Sequence, residues 1–193
     1  ELPAYRAVYL DETLEDARRD AAFETYVERL RDAKTVERPV PDELAATLRP
    51  YQREGFSWMN SLADLGFGGI LADEMGLGKS VQLIAFLLAR RDEARAIGPN
   101  LVVCPASLVY NWTAEFERFA PGLNVRAVAG TKQERIAARA ERDVDVFVAS
   151  YDLVRIDVKD YADRDFYCCA LDEAQYIKNH GTLTARAVKR GKA

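Results

Sequence analysis

The chain has 193 residues, of which 49% are hydrophobic and 30% charged, enough for one soluble domain with its own core and a small appendage. Its net charge of −4 excludes a chain that is basic throughout, so any nucleic-acid contact must come from a local patch. No window nears the roughly 18 apolar residues of a membrane helix, and Glu1-Leu2-Pro3-Ala4-Tyr5-Arg6 lacks the layout of a signal peptide. The absence of an initiator Met suggests a piece excised from a longer chain.

In chain order, residues 11–37 read as a helix with a loose apolar stripe of Leu14, Ala17, Ala21, Tyr26, Val27, Leu30 and Ala33. Residues 1–40 are therefore expected to be a helical N-terminal appendage to a lobe spanning 41–193. Pro39, Pro41 and Pro50 mark 38–50 as a connector with a short turn at Asp42–Leu48. A helix is predicted over Tyr51–Leu62. Strands and helices then alternate. Gly68–Ala72 is a strand, Ser80–Arg91 a helix, Leu101–Cys104 a strand and Ser107–Ala120 a helix. Val125–Ala129 is a strand, Lys132–Arg142 a helix, and Val144–Ser150 and Phe166–Leu171 are strands. Thr182–Lys189 is a last helix. This alternation predicts an α/β fold, a parallel sheet with helices on both faces and ligands at the carboxyl ends of its strands.

Two of those ends carry chemistry. Ile70 to Ala72 leads through Asp73-Glu74-Met75-Gly76-Leu77-Gly78 into Lys79-Ser80 and an apolar helix, the layout of a phosphate-binding loop. Gly76 and Gly78 free backbone N–H groups to converge, and the helix start adds its unpaired N–H groups and positive dipole end. Lys79 can reach the β- and γ-phosphates, and the Ser80 hydroxyl can bind Mg²⁺. The general pattern has Gly where this chain has Asp73. The second end is Asp172-Glu173-Ala174-Gln175, after an apolar strand. Asp172 would hold Mg²⁺, directly or through water, and Glu173 would orient the attacking water.

Other candidates have bland readings. Cys168 and Cys169 point to opposite faces of one strand, and Cys104, Cys168 and Cys169 have no four-ligand metal spacing, so they read as small buried residues of a reducing, intracellular compartment, cytoplasmic or in the nucleoid or nucleus. His180 lies in a polar turn. Lys132, Arg135, Arg139 and Arg142 share one helical face, which spacing alone reads as solvated.

These residues resemble the SWI/SNF-type, helicase-like ATPases of superfamily 2. Leu48-Arg49-Pro50-Tyr51-Gln52-Arg53-Glu54-Gly55 looks like that family's adenine-recognition segment. Ile70 to Gln82 resembles its first motif, in which Asp73 is usual. Leu101 to Leu108 with Asn111-Trp112, Phe147 to Leu153, and Leu171 to Gln175 with Ile177-Lys178-Asn179 resemble the motifs that follow, in the same order over roughly 45–190. The resemblance implies a RecA-like lobe using ATP and Mg²⁺. Gln52 would read the adenine edge. The loop Asp73, Gly76, Leu77, Gly78, Lys79 and Ser80 would hold the nucleotide, with Ser80 and Asp172 on the metal. Glu173 would be the catalytic base, and Gln175 would couple phosphate state to lobe movement. Double-stranded DNA would lie across Ser107, Lys132, Ser150 and Tyr151, touching backbone and not bases.

The resemblance also implies parts that do not occur before Ala193. These are a Thr-Gly-Thr-Pro-type motif on a strand between the Lys79 and Asp172 strands, and a second lobe carrying arginine fingers. The chain is thus expected to be a first lobe truncated before that strand, a disrupted gene product or part of a larger protein. A non-catalytic fragment that binds nucleotide or a partner, and an RNA-directed superfamily 2 helicase, stay open as alternatives.

Overall fold

The computed structural model describes residues 38–74 and 76–177, with positions 21 and 24 besides. The expected helix at 11–37, the last helix at Thr182–Lys189 and His180 lie outside this range or almost wholly so.

Four parallel strands form the sheet. β1 (Asn100–Cys104), β2 (Val125–Val128), β3 (Val146–Ser150) and β4 (Cys169–Leu171) lie in the order β2-β3-β1-β4. The register sets Val102 beside Val148 and Ala170, and Ala127 beside Val148. β1 and β3 are buried along their whole length, which is why they read as unbroken apolar runs.

Side chains alternate strictly between two cores. Val102, Cys104, Val146 and Val148 face one side, with Leu44, Phe56, Ile84, Trp112 and Phe116. These come from α1 (Asp42–Ala45), α2 (Pro50–Asp64), α3 (Lys79–Ala89) and α5 (Val109–Phe119). Between α3 and α5 runs a short α4 (Arg91–Ile97). Leu101, Val103, Phe147 and Ala149 face the other side, with Ala138, Tyr151, Val154 and Tyr161. Those belong to α6 (Lys132–Ala140), α7 (Tyr151–Ile156) and α8 (Val158–Ala162). Helices cover both faces, as the alternation requires. Cys168 packs toward the first core and Cys169 toward the second, as a period of two dictates.

Three local readings change. The helix expected over Ser80–Arg91 breaks at Arg90, whose guanidinium is buried and held by Asn60, Asp64, Glu93 and Tyr167. The helix after β1 starts with a 3₁₀ turn at Ala106–Leu108. The third change matters most, because Gly68–Ala72 is not a strand. Ile70 is 86% exposed, and Gly69 lies flat against the Trp58 ring, where an added Cβ would sit 2.6 Å from the indole. A strand exists only with a ladder partner. β4 pairs with β1 on one side, and no described strand pairs with Gly68–Ala72.

Candidate nucleotide site

The candidate phosphate loop is folded on itself. Gly76 has φ 84° and Gly78 φ 72°, both left-handed, so the chain turns sharply into α3 where a Cβ would be strained. Lys79 opens that helix. Its ammonium donates to the carbonyls of Asp73 (2.7 Å) and Glu74 (3.0 Å), so the loop ring closes around its own cation. Ser80 is the next residue, in the first turn and half-buried. Gln82, one half-turn on, is fully buried and donates to the Asp73 carboxylate at 3.0 Å. It also explains Gly55, since a Cβ there would lie 2.0 Å from the Gln82 Oε1.

The helix-start residues of α2 clamp the loop from outside. Gln52 Oε1 accepts from the Arg49 N–H (2.9 Å), and its Nε2 donates to the Leu77 carbonyl (3.0 Å). The Tyr51 hydroxyl donates to the same carbonyl at 3.1 Å. In this geometry both amide atoms of Gln52 are in use, and the side chain is only 7% exposed. It acts here as a loop clamp, with one N–H and one oxygen lone pair of the amide not used by these two bonds.

The acidic pair stands at the end of β4. The Asp172 N–H donates to the Val103 carbonyl at 2.8 Å, extending the ladder by one residue. Its carbonyl accepts from the Tyr151 hydroxyl (2.8 Å), and its Oδ2 accepts from the Trp112 indole N–H (2.9 Å). Glu173 has φ 53°, a left-handed conformation uncommon outside glycine and asparagine that turns the chain sharply off the sheet. The Gln175 amide donates to its carboxylate. So Asp172, Glu173 and Gln175 form one connected group, and Asp73, Leu77, Lys79 and Gln52 another. Among the described residues no hydrogen bond or ion pair joins the two. The donor set suits Mg²⁺, which needs only one or two protein oxygens and keeps water and phosphate on its other positions. Ser80 and the free Oδ1 of Asp172 are such oxygens.

Sequence reasoning missed the Trp112 and Tyr151 contacts. The signal was there for Trp112: Val109, Trp112 and Phe116 at helical spacing place its ring toward the sheet, and a buried indole N–H needs an acceptor. Burial first, and the Asp172 charge second, push the Cys104 thiol up to about 12. Burial likewise raises the half-buried Cys168 to about 11 and Cys169 to about 12, so all three favour the protonated thiol at neutral pH.

Of the four residues expected to touch DNA, two are exposed and two are buried. Ser107 and Lys132 are exposed, and both follow carboxyl ends of strands that share one side of the sheet. Ser150 and Tyr151 are each 3% exposed. The Ser150 hydroxyl caps α7 by accepting from the Leu153 N–H, and Tyr151 stacks on Tyr176 at 5.4 Å. Neither side chain faces outward. Arg135 and Arg139 also turn inward. Arg135 grips Asp157 through two bonds (2.7 and 3.0 Å), and Arg139 bonds Asp157 (2.7 Å) and Asp160 (2.6 Å). The shared helical face is therefore half structural, because the buried Asp157 between α7 and α8 captures Arg135 and Arg139.

A family model described as the SNF2-related domain matches residues 51–192. The chain belongs to the SNF2-related family. It is 40% identical over 165 residues to Helicase SWR1 of Debaryomyces hansenii, covering 83% of this chain and 10% of that protein. It is 38% identical over 157 residues to the putative ATP-dependent helicase/translocase YwqA of Bacillus subtilis, covering 80% and 17%. Among solved structures, the Sulfolobus solfataricus SWI2/SNF2 ATPase core in complex with dsDNA superposes with a TM-score of 0.72 at 36% identity. That match covers 81% of this chain and 32% of the other. The fold is thus the RecA-like lobe of an SNF2-type ATPase core, and the chain spans a tenth to a sixth of these two curated relatives.

Proposed function

We propose that this SNF2-related chain is the ATP-binding lobe of a double-stranded DNA translocase that uses ATP hydrolysis to move on DNA and remodel protein–DNA complexes. The observation that carries the reading is the loop itself: two left-handed glycines deliver Lys79 to the first position of a buried helix. No ordinary structural turn needs a lysine there that spends its ammonium on two loop carbonyls. Those carbonyls are weak partners for a cation compared with a polyphosphate, so the ammonium is ready to transfer. The relatives named as ATP-dependent helicases, and a structural neighbour solved with dsDNA, support the same reading.

In this reading Mg²⁺ bound with ATP supplies the divalent charge that neutralises the phosphates. Lys79 moves from the Asp73 and Glu74 carbonyls to the β- and γ-phosphates. The N-terminus of α3 presents its free N–H groups to the same anion. Ser80 and Asp172 would offer oxygen ligands to Mg²⁺. Glu173 takes the proton of the attacking water, held in place by the Gln175 amide.

The test is nucleotide binding by calorimetry. Lys79→Ala is expected to weaken ATP binding by at least ten-fold, because it removes the cation facing the phosphates. Equal affinity in variant and parent would remove the phosphate-loop assignment.

A further inference from the structure

We infer that Trp112 is a positioning residue for the metal-binding carboxylate: its indole N–H occupies Oδ2 of Asp172 and so leaves Oδ1 as the oxygen presented to Mg²⁺. This rests on the proposed reading of Asp172 as a metal ligand and goes beyond it by assigning a residue outside the acidic motif.

The argument is one of satisfied valences. Trp112 is 6% exposed, and its ring lies in the core between α5 and the sheet, 6.0 Å from Phe116. A buried indole has a single donor and no acceptor, so it takes one fixed partner. Here that partner is Asp172 Oδ2 at 2.9 Å. The backbone of Asp172 is fixed independently, its N–H by Val103 and its carbonyl by Tyr151. With the backbone fixed and Oδ2 bonded, the carboxylate is biased toward one orientation. Among the described residues, Oδ1 is the one Asp172 oxygen without a protein donor. A ligand oxygen held this way costs the metal little ordering, which is how hydrogen bonds behind a ligand raise metal affinity. The helix that delivers Trp112 also follows the exposed Ser107 turn, so the carboxylate is braced from the loop next to β1 and not from its own strand.

The experiment uses the full chain labelled with ¹⁵N, whose two tryptophans give two indole N–H resonances. Trp112→Phe, which keeps the ring and removes the donor, assigns them. In metal-free protein, Asp172→Asn is expected to shift the Trp112 resonance and spare that of Trp58. With ATP and Mn²⁺ in place of Mg²⁺, paramagnetic broadening is expected at Trp112 well before Trp58. In calorimetry, Trp112→Phe should raise the Mg²⁺ concentration that half-saturates its effect on ATP binding by roughly 10- to 100-fold. Its ATP affinity in EDTA should match the parent. A purely structural tryptophan would change both or neither. An unmoved indole in Asp172→Asn, or equal broadening of both indoles, would overturn the inference even if Trp112→Phe does not fold. An unchanged Mg²⁺ dependence in a folded Trp112→Phe would overturn it alone and leave the phosphate loop standing. Failure of the parent chain to bind ATP at all would take down both.

Discussion

Asp157 shows what a single residue decides. Its carboxylate is buried and accepts from two arginines of α6, so the charges that spacing assigned to an open face became an internal ion cluster. Hydrogen bonds from Arg135, then from Arg139, hold its carboxyl below the usual carboxylate range against the opposing effect of burial. A carboxyl with a depressed folded pKa contributes stability above its unfolded value of about 3.9, and that contribution is lost as pH falls through the lower folded value. Asp157→Asn is expected to destabilise the fold by about 3 kcal/mol at pH 7, since it leaves the buried Arg135 guanidinium without its counter-charge and Arg139 with Asp160 alone. Urea unfolding of both proteins from pH 7 to 3 checks this. The gap between them should hold down to about pH 4 and narrow below it. A gap independent of pH would mean the charge on Asp157 contributes nothing.

On the proposed reading the loop from Asp73 to Ser80 is the element on which function turns, and its shape depends on glycine at one position above all. Gly78 combines φ 72° with a neighbour, Gln52 Nε2, that would lie 2.5 Å from an added Cβ. Gly78→Ala must therefore either push Gln52 off the Leu77 carbonyl or move the start of α3. The left-handed conformation alone costs an alanine roughly 1–2 kcal/mol. We expect a folded protein with a melting temperature lowered by a few degrees and at least ten-fold weaker ATP binding. Gly76→Ala should cost similar backbone strain without the collision, because open space surrounds it. If calorimetry ranks Gly76→Ala as the more damaging, contact with Gln52 is not what sets the loop. The lead-in Gly68–Ala72 belongs to the same element. Its apolar sequence asks for a strand, and it stays irregular because a strand is made by its neighbour.

At the scale of the molecule, parallel strands put the turns after β1, β2, β3 and β4 on one side of the sheet. Only part of that side offers polar side chains to an outside partner. On the proposed DNA reading, Ser107 and Lys132 remain available and Ser150, Tyr151, Arg135 and Arg139 do not. Lys132→Ala is expected to weaken binding to all duplex sequences alike and to make the slope of log affinity against log salt shallower by about one charge. Arg135→Ala should instead appear as lost thermal stability. Anisotropy titrations at several salt concentrations, beside melting curves, separate the two. A folded Arg135→Ala that no longer binds duplex, with Lys132→Ala unaffected, would put the DNA on a different surface.

The sequence by itself determined four of the five expected strands and their parallel sense, and it singled out the candidate site residues. Apolar runs such as Val102–Cys104 and Val146–Ala149 cannot be solvated, and Gly76, Gly78 and Lys79 combine backbone freedom with charge at fixed spacing. Those properties are local, so they are legible along the chain. Tertiary structure alone decided which polar side chains are free. Arg135 and Lys132 look alike in the sequence, yet one is claimed by Asp157, 22 residues away. Tyr151 looked like a surface contact until the Asp172 carbonyl took its hydroxyl. Trp112 was legible as core, but not its acceptor 60 residues on. Hydrogen bonds and ion pairs over such separations depend on packing that no spacing rule encodes, and a strand such as Gly68–Ala72 depends on a neighbour in space rather than on its own residues.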